Sequence, residues 1–368
     1  MRYLKKTLLY LIGNFSGKLL VVLLIPVYAM YVKKGELGSF DYMQTVMNVV
    51  ITMCYVAIWE AILRFLLAEP KNVKVHSGNI IIFFTLFVSI FVFIASIFIT
   101  HYIGFDILLS VSNASMYVFY GVAQVWQYFS RSYEKNEIYV LSGIIGTIVN
   151  FLMIVILVCV LKKGLLGLIV SYTFGRISIF IFLEAKMGLL KNLDFEDFDL
   201  KELLTILDFS FPLAVNSIAG WLISGVGTVI ITNKLGIDKN GLYAFANKFS
   251  ALIISVGSIF IMALIEESII ELKQTENYER VKNYFNIISD LFMSIVVVFI
   301  PIIGIFYNLI ASSDYLESER YIPFILLYAL FSVLASSIGA FFQALDMTKY
   351  QFSTTLAGAL FSFVFSFL

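Results

Sequence analysis

Charge is what this sequence has least of. Only 14% of its 368 residues are Asp, Glu, Lys or Arg, where a soluble domain carries about 25%, so an ordinary hydrated surface is excluded. The 25 basic and 25 acidic residues cancel, which removes the footprint of a nucleic-acid binder and of a protein seeking an acidic partner. Cysteine is nearly missing: Cys54 and Cys159 both fall in apolar runs, without the spacing of a disulfide framework or zinc site. The two histidines, His76 and His101, stand apart from any Cys or carboxylate cluster and read as solvated loop residues. There is no glycine-rich phosphate loop, no Ser-His-Asp arrangement and no metal-ligand pair. No catalytic residue, metal or cofactor is therefore expected, and the chain does not read as an enzyme.

What it has in excess is apolar length. Hydrophobic residues make up 60% of the chain and the mean hydropathy is +0.93, more than a larger core could absorb, so the excess faces lipid. A bilayer core of about 30 Å needs roughly 20 helical residues. Windows of that kind lie near 8–31, 41–66, 79–100, 107–129, 138–161, 165–186, 209–232, 242–265, 285–310 and 322–345. An eleventh starts near 352 and still runs at Leu368. Each is too long for a barrel strand of about 9–11 residues. The fold class predicted is all-α integral membrane. Arg2, Lys5 and Lys6 precede an apolar run reaching about Met30, longer than a signal-peptide core, so this start reads as a signal-anchor and first span. With the N-terminus in the cytoplasm, 15 Lys and Arg fall on cytoplasmic segments and 7 outside, as the positive-inside rule requires. The localisation that follows is a bacterial cytoplasmic (inner) membrane.

The most polar connection, 187–208, holds Asp194, Glu196, Asp197, Asp199, Glu202 and Asp208. Asp199-Leu-Lys-Glu202 fits a capping box, and Leu200, Leu203, Leu204 and Leu207 follow on one face, which predicts a short interfacial helix leading into Pro212. It divides the chain into an N-terminal six-span lobe (1–190), a cytoplasmic linker (191–208) and a C-terminal lobe (209–368). The halves echo each other. Gly38-Ser39-Phe40 opens span two as Gly241-Leu242-Tyr243 opens span eight, and Ser142-Gly143 in span five is matched by Ala357-Gly358 in span eleven. Such echoes predict a parallel repeat.

Polarity inside the spans is arranged at helical spacing. Span two carries Asp41, Thr45, Asn48, Thr52, Tyr55 and Trp59 on one face; span four carries Asn113, Tyr117, Tyr120, Gln124, Gln127 and Arg131 at the same offsets. Span seven repeats the pattern with Ser217, Gly220, Ser224 and Thr228, and span ten with Ser332, Ser336, Gly339 and Gln343. Small-residue rows of the latter kind serve helix packing in any membrane protein. Asn, Gln and Asp need several partners each, so spans two and four read as lining a hydrated cavity. Three cations lie within spans: Lys18 with Asn14 one turn before it, Arg176 and Lys248. A cation at mid-bilayer costs about 2.5–3.5 kcal/mol on insertion scales and should face protein or water. The bland alternative is a structural ion pair or snorkelling. Spans one, seven and eight hold no acid before Glu266, whereas Glu60, Glu184 and Asp290 are available to Arg176 or Arg64. Uncompensated positive charge favours an anionic ligand.

Phe209-Ser-Phe-Pro212-Leu-Ala-Val-Asn216-Ser217, Trp221, Val229-Ile-Ile-Thr232-Asn-Lys-Leu-Gly236, Asn240-Gly241-Leu242-Tyr243-Ala244 and the opening Gly13-Asn14-Phe15 carry a resemblance. In these segments the chain resembles the Wzx-type flippases of lipid-linked oligosaccharides, within the MATE-like superfamily. The resemblance implies two pseudo-repeated six-helix lobes about a central cavity lined by spans one, two, seven and eight. It implies export of an isoprenoid-pyrophosphate-linked glycan by alternating access, with basic cavity residues receiving the pyrophosphate. Lys18, Lys248 and Arg176 are the candidate substrate-binding cations. Asn14, Asp41, Asn48, Thr52, Asn113, Gln124, Gln127, Asn216 and Ser224 are the candidate lining. Expected partners are the lipid-linked glycan, the bilayer and a glycan polymerase machinery, with no nucleic acid and a monomeric state. Family members have at least twelve spans, so a chain ending in its eleventh reads as a fragment. Two alternatives stand beside this reading. A multidrug or small-metabolite exporter needs a titratable acid deep in a span; a membrane glycan polymerase or ligase needs a large external loop, and the longest here is 311–321.

Overall fold

A computed structural model describes residues 23–365 except 68, 195–197, 275–277, 310–313 and 345–347. Lys18 and Asn14 lie outside the described residues. Among the described residues every regular element is helical, so the protein is all-α. In chain order these are α1 (23–31), α2 (Lys34–Cys54), α3 (Ile58–Leu66), α4 (Lys71–Tyr102), α5 (Ile107–Ser132), α6 (Asn136–Ile154) and α7 (Gly164–Met187). There follow α8 (Leu200–Ser224), α9 (Val226–Leu235), α10 (Ile237–Gln274), α11 (Tyr278–Leu309), α12 (Ile322–Ala344) and α13 (Thr348–Phe365). A π-helical turn, Val155–Val160, prolongs α6.

Among the described residues six helices are long and apolar enough to cross a membrane, or seven if a bent pair counts as one span. The protein is thus a multi-pass membrane protein. Helix α5 is not among the six; its stripe of Asn, Gln and Tyr lowers its hydropathy although its length suffices.

Two expected spans are broken. Span two is α2 and α3, bent by 48°. At the break Val56 and Ala57 take φ of 51° and 45°, a left-handed conformation that is costly for a β-branched residue, about 1–3 kcal/mol. The side chain just before it is pinned. Tyr55 is fully buried, its hydroxyl shares a 2.7 Å hydrogen bond with Ser89 Oγ, and its ring lies where a β-carbon on Gly121 would come within 2.7 Å. Span seven is α8 followed by α9, with a break at Gly225.

The expected short interfacial helix is instead the first part of α8, which runs unbroken through Pro212. Half of the expected capping box is present. Asp199 Oδ1 accepts from the Lys201 N–H at 2.8 Å, but Glu202 turns away to α4, where it accepts from Ser77 Oγ and pairs with His76 Nε2 at 3.1 Å. Leu203 and Ile206 are buried while Leu200 and Leu204 are exposed, so the four leucines do not share one environment. Both histidines belong to α4 rather than to loops: His76 Nε2 lies 3.1 Å from Glu202 Oε2, and His101 Nδ1 lies 3.0 Å from the Phe105 carbonyl.

The described residues form two compact units: Tyr42–Trp221, and 23–41 with 222–365. A division at 191–208 differs from this because contacts tie 198–210 to the first unit. Besides Glu202, Phe198 meets Phe83 edge-on at 6.2 Å and Phe65 meets Phe209 at 5.7 Å. In the first unit α4, α5 and α7 pack together, with α6 against α7. Glycine lets α6 and α7 approach, since a β-carbon on Gly146 would meet Ile179 at 2.5 Å and one on Gly175 would meet Asn150 at 2.9 Å. Trp126, fully buried, stacks edge-on with Phe180 at 5.1 Å and donates to Glu184 Oε2 at 2.9 Å.

The second unit packs α10 against α12 and α9. Its aromatic core joins Phe245, Phe249, Phe306, Tyr307 and Tyr315; the Tyr315 hydroxyl donates to the Val32 carbonyl at 3.0 Å. The two glycines that echo each other in sequence meet here. A β-carbon on Gly38 would collide with the Ile237 carbonyl and one on Gly241 with the Lys34 carbonyl. The starts of α2 and α10 therefore cross backbone to backbone, and Asn240 Nδ2 donates to the Gly38 carbonyl across the crossing at 2.9 Å.

Candidate functional site

Each unit holds one described intramembrane cation. Arg176 is the thirteenth residue of the 24 in α7, hence at its centre. Neither Glu60 nor Glu184 is its partner: Glu60 accepts from the Tyr128 hydroxyl at 2.8 Å, and Glu184 from Trp126 and the Leu190 N–H. Tyrosine replaces the expected carboxylate. The guanidinium lies 5.0 Å from the Tyr120 ring centroid and 4.9 Å from that of Tyr172, and it donates to the Tyr172 hydroxyl at 2.8 Å. Two π faces stabilise a desolvated cation by roughly 1–2 kcal/mol each without neutralising it, and five guanidinium N–H groups exceed what one hydroxyl can accept. Arg176 is thus held by two tyrosine rings and one hydroxyl. Tyr120 belongs to the polar stripe on α5, so that stripe and Arg176 meet.

The rest of that stripe divides. Asn113 and Tyr117 are buried; the Tyr117 hydroxyl donates to the Met43 carbonyl at 3.1 Å, and Asn113 Oδ1 is buried without a hydrogen-bond partner among the described residues. Gln124 is half-buried, and Gln127 Nε2 lies 3.5 Å from Ser142 Oγ. Arg131 stacks over Tyr128 at 5.0 Å and Tyr139 at 5.7 Å. On α2 the face changes character along its length. Asn48 is exposed, Thr52 bonds back to the Asn48 carbonyl at 2.7 Å, and Tyr55 just before the bend and Trp59 beyond it are core residues. A stripe read as one lining surface is thus exposed at one end and core at the other.

In the second unit Lys248 has a neighbour that the sequence did not reveal. Its ammonium lies 5.7 Å from the Tyr28 ring centroid and acts electrostatically on Asp41. Asp41 Oδ2 accepts from Thr228 Oγ1 at 3.2 Å and from Asn240 Nδ2 at 3.5 Å. Spans seven and eight supply no carboxylate, as read from sequence, but α2 brings one to them. Lys248 and Asp41 do not form an ion pair within 4.0 Å, so the lysine is moderated rather than locked. Asn216 and Ser224 on α8 are exposed.

A model of the polysaccharide biosynthesis protein family matches residues 3–265. The chain belongs to this family. No curated protein matches it in sequence. Among solved structures, the lipid II flippase MurJ in an inward closed conformation is similar with a TM-score of 0.75 at 14% identity, covering 97% of this chain and 80% of that one. An inward-facing multidrug resistance MATE family transporter of the MOP superfamily is similar with a TM-score of 0.62 at 14% identity, covering 95% and 93%. A MOP superfamily transporter from Pyrococcus furiosus gives 0.54 at 14% identity, covering 98% and 94%. At these identities the likeness is one of fold. This family member is thus similar in fold to that flippase and those transporters.

Proposed function

We propose that the protein translocates an isoprenoid-pyrophosphate-linked oligosaccharide across the cytoplasmic membrane by alternating access, its N-terminus in the cytoplasm. The observation that carries the reading is Arg176, a mid-helix cation caged by tyrosine rings, with no acid paired to it among the described residues. A diphosphate presents paired oxygens that match the planar guanidinium fork, and in a low-dielectric site this attraction exceeds its value in water. In the other unit Lys248 is a separate candidate anion contact, a weaker one because Asp41 offsets part of its charge. Lys18 is a third candidate on sequence grounds. Gln124, Gln127 and Asn48 offer amides to sugar hydroxyls. The lipid-linked glycan and the bilayer are the partners, the protein acting as carrier rather than catalyst.

Replacing Arg176 by Gln and Lys248 by Ala should each cut export of the glycolipid at least tenfold, while membrane-inserted protein stays at wild-type level. Wild-type export from both variants would defeat the proposal. One observation favours a second reading, export of an organic cation or small metabolite: Asp41, a carboxylate hydrogen-bonded to Thr228 and Asn240 within the helices. Under that reading Asp41→Asn removes resistance to cationic compounds and leaves glycolipid export intact.

A further inference from the structure

The first unit contains a cavity of about 320 Å³ that the transport reading does not use. It is bounded by the beginning of α4, the end of α5, the turn after it and the segment after α7; its polar lining is Lys74, Lys135, Asn79, Asn192 and Tyr133. Val75, Ile82, Phe129, Met187 and Leu189 supply an apolar floor, and among the described residues no carboxylate lines it. These helix ends carry the Lys and Arg excess that assigns them to the cytoplasm.

Lys74 is fixed before any ligand arrives. Its ammonium donates to the Leu67 carbonyl at 3.1 Å and the Ser132 carbonyl at 3.3 Å, and it lies 5.6 Å from the Tyr133 ring centroid. An ammonium has three N–H donors, so two are committed to the ends of α3 and α5 and one remains. Lys135 is exposed, yet its backbone is held: its N–H donates to the Ser130 carbonyl at 2.9 Å, and Glu134 before it turns the chain at φ 58°. Two carboxylates of the neighbouring helices are engaged elsewhere: Glu184 accepts from Trp126 and Leu190, and Glu202 from Ser77 while lying 3.1 Å from His76. Two lysines above an apolar floor, with no acid among the described lining residues, suit one chemistry. We propose that this cavity binds a phosphate monoester or diester, its phosphate between Lys74 and Lys135 and its carbon skeleton against Phe129, Ile82 and Leu189.

The source is an anionic lipid headgroup or a soluble phosphate ester, and the inference is independent of what the protein transports. The test uses the purified full chain in a neutral detergent. Native mass spectrometry measures retention of phosphatidylglycerol against diacylglycerol, and calorimetry measures binding of glycerol 3-phosphate. Phosphatidylglycerol should be retained at least tenfold better than diacylglycerol, and Lys135→Glu should abolish that preference while Lys135→Arg keeps it. Lys135 is exposed, so its variants retain the fold; Lys74→Gln, which also loosens two helix ends, should weaken binding about tenfold. Binding of glycerol 3-phosphate that Lys135→Glu also removes makes a soluble ester a source; retention of phosphatidylglycerol alone makes it the lipid. Equal retention of both lipids with no glycerol 3-phosphate binding, or binding indifferent to Lys135→Glu, overturns the site.

Discussion

Replacing Gly241 by Ala adds one methyl group where the starts of α10 and α2 cross. That methyl would collide with the Lys34 carbonyl, a backbone atom, so no side-chain rotation relieves it and the helices must part. Overpacking of this kind costs about 1–3 kcal/mol, and a clash with several backbone atoms of Lys34 places it towards the upper end. Against this, Ala is favoured over Gly within a helix by about 1 kcal/mol. The collision wins, leaving a net loss of about 2 kcal/mol, or roughly 4–8 °C in the unfolding midpoint if about 2–4 °C accompanies each kcal/mol. Gly143→Ala is the internal control. It makes the same substitution in α6 with nothing within 4 Å of the new carbon, so only the propensity gain acts and the midpoint should rise by about 2–4 °C. Circular dichroism at 222 nm in detergent reads both; tryptophan fluorescence would report the wrong unit, since Trp59, Trp126 and Trp221 all belong to the first. Opposite signs for the two alanines are the result required. A Gly241→Ala protein as stable as wild type would show that the crossing has slack, and the close-approach argument would fall.

Two further outcomes are expected. Tyr172→Phe keeps both aromatic faces over Arg176 and removes only its hydrogen bond, a charge-assisted contact worth about 1.5–3 kcal/mol; glycolipid export should fall roughly tenfold at unchanged protein level, and unchanged export would mean that Tyr172 does not orient the cation. Glu202→Gln cuts the part-exposed pair with His76, so amides 200–206 should exchange with deuterium about two- to fivefold faster, whereas unaltered exchange would mean that leucine and isoleucine packing alone seats α8.

Sequence by itself determined that this is a helical membrane protein, because lipid selects long apolar segments and that choice is written in runs of residues. It also isolated the buried cations, since a charge within such a run is rare enough to stand out. Three things needed the tertiary structure. The bend in span two leaves no Gly or Pro at 55–57 to mark it; it depends on Tyr55 being fixed by Ser89 from another helix. The stripe on α5 could be read as one wetted face because helical period is local, but which of its residues meet water depends on neighbours the period does not know. And the partners of the cations were misread along single helices. A charge is compensated through space, so Asp41 reaches Lys248 from 207 positions away in the numbering, and Arg176 is held by tyrosine rings whose role no spacing rule could have announced.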